Sequence, residues 1–162
     1  MNITVREYKS TDAHAAAEIW NEVVRDGVAF PQENEMSDTD ADEFFRSQSY
    51  TGIACDKNGK VYGLYILHPN NVGRCGHISN ASYAVSSFAR GKGVGRAVVI
   101  DCIKKAKELG FGILQFNAVV ASNTAALALY KSLGFTQLGV IPKGFRLKDG
   151  NYENIIPHYI KL

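Results

Sequence analysis

The spacing of hydrophobic and polar residues predicts strands and helices that alternate along most of the chain. Near the amino terminus, Ile3 and Val5 alternate with polar neighbours, a period of two that is typical of a strand. Over residues 93–109 apolar side chains recur every three to four positions, which is typical of a helix with one buried face. The predicted strands cover about residues 2–8, 50–56, 60–68, 76–86, 112–119, 135–141 and 152–162. The predicted helices run from Ser10 or Thr11 to Gly27, from Ser37 through the acidic turn 38–42, over 93–109, and from Ser122 or Asn123 to Leu133.

The order of these elements predicts the fold class. Asn58-Gly59 between two predicted strands is a strong hairpin signal, so the middle of the chain is expected to form an antiparallel meander. The full order is β-α-α-β-β-β-α-β-α-β-β, without an internal repeat or a long linker. We therefore expect residues 1–162 to form a single domain of the α+β or mixed α/β class.

Composition and charge exclude several classes of protein. The 162 residues are 46% hydrophobic, which is enough for a core that needs no disulfide or metal. Eighteen Lys and Arg against sixteen Asp and Glu give a net charge of +2, so no nucleic-acid partner is expected. Cys55, Cys75 and Cys102 lack the spacing of zinc ligands, so we expect neither a metal nor a disulfide framework. Because no apolar run is long enough to span a bilayer, we expect a cytoplasmic protein without a membrane partner.

A glycine-rich segment between a predicted strand and a predicted helix is the densest chemical signal. The segment reads Ser86-Ser87-Phe88-Ala89-Arg90-Gly91-Lys92-Gly93-Val94-Gly95-Arg96. Glycines let successive N–H groups point into one concavity, and the following helix adds unpaired N–H groups and its positive dipole end. The segment therefore suits a phosphate, although a turn that binds nothing is the alternative from this loop alone. Its spacing fits neither the dinucleotide fingerprint, which needs Gly or Ala at Arg96 or Val98, nor the Walker loop, which needs Ser or Thr at Gly93.

A narrower pattern in this segment resembles a known family. Arg90-x-x-Gly93-x-Gly95 is similar to the R/Q-x-x-G-x-G/A signature of the GNAT superfamily of N-acetyltransferases. Just upstream, Val85-x-Ser87 resembles the V-x-P that ends the family's fourth strand, with Ser in place of the usual Pro.

A second stretch extends the resemblance. Asn123-x-x-Ala126-x-x-x-Tyr130-x-x-x-Gly134-Phe135 resembles the family's second cofactor motif, and the order of elements agrees over essentially the whole chain. At offsets of three and seven, Asn123, Ala126 and Tyr130 share one face of the predicted helix. Taken singly, Asn123 is better explained as an N-cap and Tyr130 as a core tyrosine, and the upstream loop reverses that preference.

The resemblance implies a fold and an acyl donor. The fold is expected to be a mixed, mostly antiparallel sheet of about seven strands flanked by about four helices. Acetyl-CoA is the expected co-substrate, with its pyrophosphate in the glycine loop and its pantetheine arm in a gap between the fourth and fifth strands. A backbone N–H at the edge of the fourth strand is expected to polarise the thioester carbonyl. The residues implied to bind acetyl-CoA are Tyr83, Ala84, Val85, Arg90, Gly91, Lys92, Gly93, Val94, Gly95, Arg96, Asn123 and Tyr130.

The resemblance also implies how the acyl group moves. The acceptor amine attacks the thioester directly in a ternary complex, without a covalent nucleophile on the protein. Tyr130 occupies the position of the family's usual general acid, and a phenol suits protonation of the departing thiolate. The sequence leaves the base open: His77 and Ser79 lie at period two on the predicted fourth strand, and an ordinary strand histidine is the alternative for His77. Three glutamates near the first helix are further candidates: Glu22, Glu33 and Glu35.

The expected acceptor is the primary amine of a small molecule. We expect its pocket to be formed by the loop over 27–37 and by the turn between the last two strands. On that turn Phe145, Arg146 and Lys148 are candidates to contact a substrate carboxylate, and a solvated hairpin explains them equally well. The stretch 19–22, Ile-Trp-Asn-Glu, followed by an apolar loop resembles the branch that acetylates small amino-acid-like amines, including phosphinothricin-type acetyltransferases.

Two other functions and an oligomer stay open at this point. One alternative is acetylation of a protein amino terminus or lysine, and the other is a non-catalytic sensor of acyl-CoA. A strand near 152–162 that lies exposed at a sheet edge makes a homodimer possible.

Overall fold

The computed structural model describes residues 2–162, which form four α-helices and nine strands. The helices are α1 (Ala13–Asp26), α2 (Asp38–Arg46), α3 (Val94–Glu108) and α4 (Thr124–Ser132). The strands are β1 (Thr4–Glu7), β2 (Tyr50–Cys55), β3 (Val61–Pro69), β4 (Ile78–Val85), β5 (Ile113–Phe116), β6 (Thr136–Gln137), β7 (Ile141–Arg146), β8 (Tyr152–Ile155) and β9 (His158–Lys161).

Seven of the strands form one sheet, in the order β1-β2-β3-β4-β5-β9-β6. All neighbouring pairs in it are antiparallel except β4 and β5. This arrangement confirms the expected mixed, mostly antiparallel sheet with four helices. β4 and β5 pair only from Ile78 to Asn80, although β4 continues to Val85. A gap therefore opens between these two strands beyond Asn80.

The sheet separates two hydrophobic cores. α1 and α2 cover one face, where Trp20 and Phe45 are buried against strand residues such as Leu64. α3 covers the other face, where Val98 and Cys102 are fully buried. At roughly 1.5–3 kcal/mol for each fully buried large side chain, the two cores hold β4 between α1 and α3 and so fix one wall of the gap.

The carboxyl-terminal part differs from the prediction. The extended segment expected over 152–162 is two strands, because Pro157 lacks an N–H and interrupts it. β8 pairs with β7, a strand that the sequence pattern did not predict, in a separate two-stranded sheet. β9 inserts between β5 and β6, so the expectation of an exposed sheet edge is wrong for residues 158–161, whereas β8 lies in the two-stranded sheet. The edges of the main sheet are β1 and β6.

Candidate active site

The glycine-rich segment forms a nest of unpaired amides in front of α3. Gly91 and Gly93 have φ angles of 73° and 85°, in the left-handed region that glycine adopts without strain. Within residues 2–162, hydrogen-bond partners are lacking for the N–H groups of Gly91, Gly93, Val94, Gly95 and Arg96. A Cβ built on Gly91 or Gly93 would meet no atom within 4 Å, so the space in front of the loop is open. The arrangement suits an anion at the amino terminus of α3.

The cations of this segment take different positions. Arg90 Nη2 lies 3.0 Å from Asp26 Oδ2 of α1, and Arg96 Nη1 donates to Ser132 Oγ of α4 at 3.0 Å. These two arginines therefore tie the loop to both neighbouring helices at the rim of the nest. Lys92 instead folds back, because its Nζ donates to the carbonyl of Phe88 and its N–H bonds within the loop.

The edge of β4 presents alternate backbone groups to the gap. The N–H of Ser86 bonds to β3, whereas the C=O of His77 accepts bonds on the β5 side. Because main-chain groups alternate in direction along a strand, those of Tyr83 and Val85 point into the gap. The backbone of Ala84 points to β3, and its side chain is buried in the first core. The structure thus corrects the expectation for Ala84, whose neighbours carry the free groups instead.

Tyr130 reaches the gap from α4. The helix begins at the N-cap Asn123, whose Oδ1 accepts the N–H of Ala126 at 3.2 Å. Tyr130 is 9% exposed, with its ring 4.6 Å from that of Phe116 and 6.4 Å from that of Tyr83. Burial raises the pKa of the Tyr130 phenol above its usual value, so the phenol keeps its proton over the neutral range.

Three cavities meet around these residues. The groove, of about 720 Å³, runs along the glycine loop and contains Arg90, Arg96, Val85 and Leu129 in its wall. The inner cavity, of about 200 Å³, lies behind it and shares Tyr83, Asn123, Ala126 and Tyr130 with the groove. The vestibule, of about 770 Å³, lies between the loop after α1 and the β7–β8 hairpin and shares Phe30 and Pro31 with the inner cavity. The inner cavity therefore adjoins both the vestibule and the groove.

The vestibule is crossed by polar contacts between its two walls. Arg146 of β7 pairs with Glu33 of the loop, and Lys148 Nζ donates to the carbonyl of Arg25 at 3.3 Å. Arg25 also pairs with Glu35. The hairpin is thereby docked on the carboxyl-terminal end of α1 and on the loop over 27–37.

The structure does not bring His77 to the gap. It precedes β4 and is exposed, with its ring against Gly112, at the end where β4 and β5 are still hydrogen-bonded. Six residues of extended strand, about 20 Å, separate it from Tyr83. Ser79 is also turned away, because it is fully buried and donates to the carbonyl of Ile113 at 2.8 Å. Glu22 caps the backbone N–H of Ser87.

Two asparagines that sequence reasoning missed line the inner cavity. Asn80 is the last residue of β4 that pairs with β5, and Asn117 directly follows β5. Asn80 Nδ2 donates to the carbonyl of Gln115 at 2.9 Å, and Asn117 Nδ2 donates to Asn70 Oδ1 at 2.7 Å. A polar residue directly after the apolar alternation of β5 was the available signal.

An amide nest, an open strand edge and a buried phenol lie along one groove, an arrangement that suits a ligand with an anionic end. Comparison with known proteins identifies the family. The model of the acetyltransferase (GNAT) family matches residues 15–135. The chain therefore belongs to the GNAT family and is an acyltransferase that uses acetyl-CoA.

Individual relatives agree with this assignment. The N-acetyltransferase aca1 of Schizosaccharomyces pombe is 31% identical over 150 residues, which cover 83% of this chain and 71% of the relative. A GCN5-related N-acetyltransferase from Kribbella flavida is 34% identical, with a TM-score of 0.91 and coverage of 99% of this chain and 98% of the other. The fold is also that of a phosphinothricin acetyltransferase from Sinorhizobium meliloti solved with acetyl-CoA, at 24% identity, a TM-score of 0.91 and coverage of 100% and 89%.

Proposed function

We propose that this protein transfers the acetyl group of acetyl-CoA to the primary amine of a small molecule, by direct attack in a ternary complex. The observation that carries the proposal is the size and position of the inner cavity. It has about 200 Å³ and lies between the groove and the vestibule. An amine that enters through the vestibule meets the thioester there.

The residues of the groove fit acetyl-CoA. The unpaired amides of the loop would receive its pyrophosphate, with Arg90 and Arg96 adding positive charge at the rim. The main-chain groups of Tyr83 and Val85 would bond the pantetheine arm as an added strand. When bound, acetyl-CoA supplies an activated acyl group as a thioester.

Tyr130 is the proposed general acid. The acceptor nitrogen attacks the carbonyl carbon, and the phenol of Tyr130 gives a proton to the departing sulfur. Burial raises the pKa of the phenol and so keeps it protonated, which leaves a proton available for the sulfur. His77 has no part in this proposal, since it lies outside the three cavities.

The docked hairpin favours a small acceptor over a protein. A peptide needs an open groove along the acceptor side, whereas here Arg146 and Glu33 join the two walls of the vestibule. The position of Tyr130 in the wall of both inner cavity and groove favours an enzyme over a sensor that only binds acyl-CoA.

Thiol release tests the proposal directly. The purified protein is incubated with acetyl-CoA and a panel of small primary amines, peptides with free amino termini and lysine peptides. We expect release of CoA thiol with one or more small amines, together with a product heavier by one acetyl group. Turnover confined to peptides would favour the protein-modifying enzyme, and CoA binding without turnover on any amine would favour the sensor.

A further inference from the structure

The wall of the inner cavity carries no formal charge at neutral pH. Its polar side chains are amides, hydroxyls and phenols, and its other residues are apolar. The polar residues are Asn80, Ser82, Tyr83, Asn117, Asn123 and Tyr130. Within residues 2–162, therefore, an amine at the thioester has no carboxylate or histidine in contact with the space that it occupies.

The titratable groups around this wall are neutral as well. The Tyr83 hydroxyl is buried, and its pKa is raised well above the usual value, mainly by burial and secondly by the neighbouring Cys102. Cys102 of α3 has a pKa raised to about 12 by burial. His158 of β9 packs edge-on against the ring of Tyr130, and burial lowers its pKa. Each of these shifts favours the uncharged form. The carboxylate of Asp101 on α3 also acts on Cys102, and it accepts a hydrogen bond from the hydroxyl of Tyr65 at 2.7 Å.

The charged residues on the acceptor's path lie in the vestibule instead. Glu33 and Glu35 are its carboxylates, and both are paired with arginines. An ammonium ion that moves inward leaves these carboxylates and water behind. Removing an ammonium group from water without a compensating charge is strongly unfavourable, whereas a neutral amine needs only a hydrogen-bond acceptor.

The inner wall offers such an acceptor in a fixed position. Asn80 Nδ2 is bonded to the carbonyl of Gln115, and its Oδ1 has no partner among residues 2–162. Asn117 is held from both sides, because Gln115 Nε2 donates to its Oδ1 and its Nδ2 donates to Asn70. The wall is therefore built to receive an N–H donor without a charge.

We propose that the acceptor enters the inner cavity as the free amine and that weakly basic primary amines are the preferred substrates. The inference rests on the proposed function. The ammonium form loses its extra proton to solvent before entry. The nitrogen lone pair then forms the bond to the carbonyl carbon and the carbon–sulfur bond breaks. Tyr130 protonates the sulfur and is reprotonated by the proton that the nitrogen loses, so no further base is required.

An acceptor pair of equal size but different basicity tests this. The best small amine from the thiol-release panel is compared with its β-fluorinated analogue, and kcat and KM are measured against pH. We expect KM for total amine to fall tenfold per pH unit up to the pKa of each amine, with kcat unchanged. Between amines of pKa about 10.4 and about 8, the neutral fractions at pH 7 differ roughly 200-fold, and KM should differ accordingly.

The results that would overturn this inference differ from the result that would overturn the proposed function. A KM that does not change with pH, or a kcat break at the same pH for both amines, would overturn the inference and point to a bound ammonium or a protein base. Absence of turnover with every amine would overturn the proposed function and this inference with it.

Two variants test whether the uncharged wall of the inner cavity selects the free amine. Asn117→Asp puts a carboxylate in the inner cavity, and Asn70→Asp puts the same charge on its bonded neighbour outside that cavity. In Asn117→Asp we expect KM for the more basic amine at pH 7 to fall at least tenfold, while kcat becomes pH-dependent. Asn70→Asp should behave like the wild type. Equal behaviour of the two variants would show that the wall does not select the protonation state.

Discussion

Tyr130 shows how burial determines what one residue can do. A phenol in water titrates near pH 10, whereas this one packs against the rings of Phe116 and Phe135 with little exposure, so its pKa is raised. The raised pKa keeps the phenol protonated even at alkaline pH, and it also makes the phenol a weaker acid than free tyrosine. Tyr130 therefore still carries its proton when the thiolate departs.

Replacement of Tyr130 by Phe tests this role. We expect kcat to fall by about 10²-fold or more, in the range that a general acid contributes, while the Kd of CoA changes little. Tyr62→Phe is the control, because it removes a hydroxyl that bonds to Asp56 away from the cavities. Steady-state kinetics and CoA titration measure the two quantities. An equal loss of turnover and of CoA affinity in Tyr130→Phe would remove the assigned role.

A substitution of Gly93 tests whether the nest of unpaired amides binds the phosphates of CoA. Gly93→Asp places a carboxylate in front of the unpaired amides, so we expect CoA binding to be lost through repulsion of the phosphates. Gly59→Asp is a matched control, because its φ of 83° imposes the same backbone strain as the 85° of Gly93, and a Cβ there also meets open space. CoA titration of both variants measures the effect of the added carboxylate. Similar affinities in the two variants would exclude the nest as the phosphate site.

Among the elements, α4 begins at an N-cap residue that also lines the candidate site. Asn123 bonds the first turn of α4 through its Oδ1 and also lines both the groove and the inner cavity. The two explanations that the sequence allowed for it, a cap and a ligand contact, are thus compatible in the structure.

Two substitutions of Asn123 separate these roles. Asn123→Ala removes the cap and should lower the free energy of unfolding by about 1 kcal/mol. Asn123→Ser keeps a capping oxygen, so we expect near wild-type stability but a severalfold weaker affinity for CoA. Urea unfolding and CoA titration give the two readouts. If Ser restored the affinity completely, the residue would act as a cap only.

The sequence pattern predicted the helices and strands well where an element is determined by residues that are near one another in the chain. The glycine loop was found because its spacing, its cations and its position before a helix agree. The sequence allowed a hairpin at the late turn, but strand β7 itself was missed because its residues are mostly exposed and give no alternation. Its placement depends on Arg146 contacting a loop more than one hundred residues earlier. The asparagines of the inner cavity were missed for the same reason, since only the parting of β4 and β5 gives them a role.

At the scale of the whole molecule, the first strand is fastened to α1 by a buried carboxylate. Asp12 is 6% exposed and accepts two hydrogen bonds from Arg6, both of 2.8 Å, and one from the backbone of Lys9. Burial alone would raise the pKa of Asp12, but these bonds outweigh it and lower the pKa below its ordinary value of 3.8.

The sign of the resulting pH dependence follows from that lowered pKa. The folded state binds the proton less tightly than the unfolded state, so the contribution of Asp12 is complete above pH 3.8 and is lost as the pH falls through the lowered pKa. Asp12→Asn should cost about 2 kcal/mol at pH 7, and the difference from the wild type should shrink toward about pH 2. Urea unfolding at both pH values measures it; a constant difference would contradict the assignment.

Other whole-molecule expectations stay predictions. No helix within residues 2–162 combines the length and apolar character needed to cross a membrane. Cytoplasmic location and a homodimer are predictions from the sequence. Of the segment 152–162 that was expected to mediate the dimer, β9 lies inside the main sheet.

The central claim is that the amides between Gly91 and Arg96 hold a diphosphate. Calorimetric titration with CoA and with pantetheine, which has the same arm without the nucleotide and diphosphate, tests it most directly. We expect heat of binding with CoA and an affinity for pantetheine that is weaker by at least two orders of magnitude. No binding of CoA to the folded protein, or equal affinity for the two compounds, would contradict it.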